Sequence, residues 1–84
     1  MDELLKALAA VALEVGAAED ALDQTELITA RERVDTAEAG LAALRERWPE
    51  LDARQRRVLG AAAGPIRQRL DATRARLPLA AQPR

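Results

Sequence analysis

Between Leu27 and Trp48 the chain reads LITARERVDTAEAGLAALRERW. Its apolar residues Leu27, Ala30, Val34, Ala37, Leu41, Leu44 and Trp48 recur at steps of three and four, which gathers them into one stripe of an α-helix. Arg31, Glu32, Arg33, Asp35, Glu38, Arg45, Glu46 and Arg47 lie off that stripe, so the segment predicts an amphipathic helix over about residues 24–47. Towards the N-terminus, Leu4, Leu8, Val11, Val15, Ala18 and Leu22 repeat the pattern and predict a helix over about 2–22, in which Gly16 is a weak point. The two stripes are out of phase. From Leu22 to Leu27 is a step of five, which a continuous helix would turn onto another face. A break near Asp23 follows, with Asp23-Gln24-Thr25-Glu26 able to form a capping box and Leu22 and Leu27 a hydrophobic staple around it. Thr29 with Glu32 is a rival cap. Because no Gly or Pro marks this turn, one long bent helix is the alternative.

Towards the C-terminus, Trp48-Pro49 closes the second helix, since the residue before proline is pushed out of the α region and proline suits a first turn. A third helix over about 49–77 carries Leu51, Val58, Leu59, Ala62, Ala63, Ile66, Leu70, Thr73 and Leu77. Gly64-Pro65 interrupts it, either as a kink or as a stop and restart; the unbroken apolar phase from Leu59 to Leu77 favours the kink. The Pro- and Ala-rich residues 78–84 read as a disordered tail. The expected architecture is therefore all-α: a single domain over residues 1–77, built as a small antiparallel helical hairpin or three-helix bundle with heptad-like seams.

Composition agrees and narrows the function. Of 84 residues 20 are Ala, leaving 13 Leu, 4 Val, 2 Ile, one Met and one Trp to fill a core. That core is thin, as expected of so short a chain, and self-association or a partner is the expected remedy. The chain has no Cys, His, Ser, Tyr, Asn or Phe, which removes disulfides, thiolate nucleophiles, imidazole bases and the usual zinc sites. No catalytic, cofactor-binding or metal-ligating set is expected. An acidic Met1-Asp2-Glu3 start and the lack of any apolar run near the ~18 residues of a membrane span point to a soluble, cytoplasmic protein with no membrane partner.

Charge is segregated along the chain. Residues 1–26 hold seven acids and one base, residues 27–50 five acids and four bases, and residues 51–84 two acids and eight Arg, giving −6, −1 and +6 and summing to the overall −1. Arg54, Arg56, Arg57, Arg67, Arg69, Arg74 and Arg76 form a basic face that suits either a phosphate backbone or the acidic first helix. Nucleic acid is the disfavoured partner, because no aromatic residue lies beside the cluster and Lys is nearly absent. The run Gly60-Ala61-Ala62-Ala63-Gly64 leaves one helix flank almost bare, and close packing of another helix is the expected use. Trp48, the sole aromatic residue, suits either a core cap or a binding hot spot.

The spacing Arg31-x-x-Val34-Asp35-x-Ala37-Glu38-x-x-Leu41-x-x-Leu44-x-x-Arg47 resembles the first-helix pattern of the all-helical chorismate mutases. The resemblance implies that Arg31 would help hold a substrate's carboxylates. That family adds a lysine from a later helix, whereas the one lysine here is Lys6, upstream. The general layout also resembles small helical secretion chaperones. The residues themselves favour a non-catalytic interaction module, an adaptor, accessory subunit, chaperone-like protein or regulator. It would grip a protein partner or a second copy, as a homodimer, through Leu27, Val34, Leu41, Leu44, Trp48, Leu59, Ile66 and Leu70.

Overall fold

A computed structural model of the chain describes residues 1–78. It holds three α-helices, α1 (Asp2–Asp23), α2 (Leu27–Arg47) and α3 (Ala53–Arg76), with a single 3₁₀ turn over Trp48–Glu50. No strand occurs among the described residues. Short connections make successive helices antiparallel. Contacts of Glu19 with Arg69 and of Asp23 with Arg76 run α3 alongside α1 in the same direction. The result is an up-down-up bundle measuring 41 × 24 × 17 Å. α1 packs against both other helices, and α2 and α3 touch each other least.

The core follows the two stripes. Leu4, Leu8, Val11, Val15, Ala18 and Ala21 of α1 lie buried against Ala30, Val34, Ala37, Leu41 and Leu44 of α2, and Leu59, Leu70 and Leu77 complete the cluster from the third segment. At the end of α1 it is Ala21 that is fully buried, with Leu22 half-covered beside it. Thr73 is also buried, and its hydroxyl is satisfied by donating to the Arg69 carbonyl at 2.7 Å, which lets a polar residue occupy an apolar stripe. The α1–α2 seam is tight at Gly40, where a Cβ would stand 2.6 Å from Val11 Cγ2.

The helix ends differ in detail from the sequence expectation. α2 begins at Leu27, and the capping box at Asp23–Glu26 does not form, because Glu26 takes the N-cap position without a side-chain bond. The break is instead made from the α1 side. Glu26 N–H donates to the Ala21 carbonyl at 2.8 Å and Thr25 N–H to the Leu22 carbonyl at 3.0 Å, while Thr25 sits at φ 60. This is a Schellman closure, with threonine in the left-handed position that glycine usually fills. Pro49 lies in the 3₁₀ turn rather than in the first turn of α3. α3 starts at Ala53 behind a reciprocal capping box, Gln55 N–H donating to Asp52 Oδ1 at 2.8 Å and Asp52 N–H to Gln55 Oε1 at 3.0 Å. It then runs unbroken through Pro65, which decides for continuation over stop and restart. Gly64 helps, since the clash of a proline ring with the preceding Cβ has no Cβ to act on. Leu77 turns extended before Pro78. Of the expected tail 78–84, residues 79–84 lie outside the described residues.

Candidate functional site

Because α2 and α3 meet only loosely, a groove of about 350 Å³ opens between the C-terminal half of α2 and the N-terminal half of α3. Leu41, Leu44 and Trp48 line one wall, Leu59, Ala63 and Gly64 the other, with Arg45 and Arg67 as its polar members. The small-residue run creates the opening. Nothing lies within 4 Å of a Cβ built on Gly64, and a Cβ on Gly60 would meet only the Trp48 ring, at 3.6 Å. Among the described residues no other helix packs on Gly60 or Gly64, although Ala63 between them lies against the core; the close helix approach within the chain occurs at Gly40. Trp48 is held at the groove's end by its own backbone, whose carbonyl accepts from Arg56 Nε at 3.3 Å. Trp48 as a whole remains 36% exposed.

Of the residues expected at an interface, Val34, Leu41, Leu44, Leu59 and Leu70 are buried in the chain's own core, and Ile66 and Leu27 are half-buried. Leu41, Leu44 and Leu59 do double service, since their edges also form the groove, whereas Trp48 lies at its exposed end. The sequence reading passed over Arg45, which lines the groove and looked like one more surface charge. It also passed over Gly40, whose facing residue is unknowable without the register of α1.

The basic face divides into two parts. Its C-terminal part is paired inside the chain. Arg67 grips Glu38 of α2 through two bonds, of 2.6 and 3.2 Å, and also donates to Asp71. Arg74 reaches Glu38 at 3.5 Å, Arg69 bonds Glu19 of α1, and Arg76 meets Asp23 of α1 at 2.9 Å. A further pair, Arg33 with Glu14 at 3.2 Å, joins α1 to α2. The bonds to Glu38 and Asp71 raise the Arg67 pKa beyond its already high ordinary value, and those to Glu19 do the same for Arg69. The bond from Arg67 holds the Asp71 carboxyl below its ordinary value. The N-terminal part is different. Arg54 and Arg57 have no ion-pair partner among the described residues, and Arg56 donates only to the backbone carbonyls of Trp48 and Pro49.

The residues of the mutase-like spacing are not brought together. Arg31 is engaged by Asp35 at 2.9 Å and Arg47 by Glu50 at 3.4 Å, and the two arginines stand roughly 24 Å apart along one helix. Among the described residues no group of three or more acidic side chains is placed to hold a metal ion. No helix among them is long and apolar enough to cross a membrane. Compared with known proteins, the chain matches no family model, no curated protein and no solved structure.

Proposed function

We infer that the chain is a non-catalytic interaction module, acting as an adaptor, accessory subunit or chaperone-like protein that docks a partner segment in the α2–α3 groove. One observation carries this reading: the groove exposes Trp48 beside Leu41, Leu44 and Leu59, next to Gly64, where an added Cβ would meet nothing within 4 Å. A bundle of only three helices gains by covering such a seam, and a lone Trp at a groove end suits a binding hot spot.

The test uses Trp48→Ala. Its side chain is partly exposed at a helix end, so the variant keeps its helicity and most of its melting temperature, yet loses complexes that the wild type retains in affinity capture under matched conditions. Captured proteins identical between wild type and variant would place any docking surface elsewhere.

A further inference from the structure

Internal pairing leaves a charge residue in one place. The four C-terminal arginines of α3 all have acidic partners, whereas among the described residues Arg54, Arg56 and Arg57 have none, and neither has Arg45 on the α2 wall of the groove. These three α3 arginines occupy the first turns of the helix, where the positive end of the backbone dipole disfavours cations. No acidic residue lies in that first turn, and the Asp52 carboxylate at the N-cap is engaged by Gln55. The local structure therefore disfavours Arg54 and Arg57, and among the described residues no acidic side chain forms an ion pair with the cluster.

Position ties the cluster to the groove. Arg57, Gly60 and Gly64 follow at steps of three and four, on one face of α3, and Arg45 stands on the α2 wall. The apolar floor thus has the unpaired Arg45 on its α2 wall and, on α3, the internally paired Arg67, with the unpaired Arg57 one turn before Gly60 at the groove's outer edge; the small residues allow a helix axis to come near the short end of the usual 8–10 Å range. The complement of that pattern is a helix with a bulky apolar stripe bordered by Asp or Glu. A second copy fits less well. Groove against groove would set Arg45 and Arg57 against their own equivalents. The acidic outer surface of α1, with Asp2, Leu5, Leu13 and Asp20 exposed, belongs to a helix that contributes nothing to the groove, so a second copy would have to pair two different surfaces at once. Phosphate backbones need no apolar floor. We propose that the α2–α3 groove binds an acidic amphipathic helix of another protein. The proposal rests on the docking reading above.

Trp48, as the only Trp, reports on the groove directly. The probe is a synthetic amphipathic peptide about 18 residues long with a Leu stripe bordered by Glu, paired with a counterpart carrying Lys for every Glu. The Glu peptide shifts Trp48 emission saturably to shorter wavelength, and the Lys peptide binds at least about tenfold more weakly. In the double variant Arg45→Glu, Arg57→Glu the preference reverses. Arg57→Gln, a milder change at an exposed site, weakens the Glu peptide alone, and circular dichroism confirms that both variants fold. Equal binding of the two peptides would overturn the charge assignment while leaving the groove a docking site. No response of Trp48 to either peptide would overturn both readings. Two other results also refute the proposal: an oligonucleotide duplex bound tightly at physiological salt and lost in the double variant, or a concentration-dependent dimer whose formation alone shifts Trp48.

Discussion

Thr25 is held at φ 60, where a β-branched side chain is strained by about 1–3 kcal/mol. Glycine would sit there without that cost, so Thr25→Gly should raise stability by about 1 kcal/mol, seen as a higher urea midpoint at unchanged slope. An unchanged or lower midpoint would mean that the Thr25 side chain makes compensating contacts. Gly40 poses the opposite case. A methyl group there would press into Val11 at 2.6 Å, and both lie in the best-packed seam, so Gly40→Ala should destabilise by about 1–3 kcal/mol despite its better helix propensity. Adding Val11→Ala should recover part of that loss, giving a favourable coupling in a double-mutant cycle; strictly additive effects would show that the seam relaxes. Neither role was legible in the sequence. The usual Schellman signal is a glycine after the helix, and here a Thr-Glu pair stands in its place and imitates a start signal. Gly40 reads only as a weak helix former until the register with α1 is known.

At the scale of the elements, α1 and α2 were legible because their stripes are continuous, and the phase slip between Leu22 and Leu27 fixed where they part. α3 was less so. Pro49 suits a helix start and a 3₁₀ turn equally, which hid the better cap three residues on. Asp52→Ala should cost about 1 kcal/mol by removing one half of the capping box and freeing an orphan N–H, and thermal unfolding would show it. The groove also escaped sequence reading: small residues announce a close approach without saying whether anything fills it. Energetically α3 is the lightest element, since within the helix only Leu59, Leu70 and Thr73 are buried, against six buried residues in α1 and five in α2. Native-state hydrogen exchange should therefore find α3 opening at lower free energy than the hairpin around Val15 and Val34. Equal protection across all three helices would refute this ranking.

For the whole molecule, the opposite charges of its two ends become a means of attachment. Arg67, Arg69, Arg74 and Arg76 tie α3 to Glu38, Glu19 and Asp23 on the other two helices, where apolar burial is thinnest. Each such exposed pair contributes roughly 0.2–1 kcal/mol, small singly but of consequence for an element held by so few large side chains. Acid should loosen the same attachment. Asp71 keeps Arg67 in place, and its carboxyl is held below the ordinary 3.8. Its contribution is therefore present above that value and is lost as pH falls through the lower, folded-state one. Salt is the cleaner probe, because at about 1 M the screening length contracts to roughly 3 Å and at about 0.01 M it extends to roughly 30 Å. Raising NaCl from about 0.05 to about 1 M should lower the melting temperature and reduce the protection of α3 amides more than that of α1 and α2. The comparison between helices matters, since any general effect of salt on apolar burial acts on the hairpin and on α3 alike. Protection of α3 that is unchanged relative to the hairpin would show that Leu59, Leu70 and Leu77 hold it unaided, with the ion pairs adding nothing net.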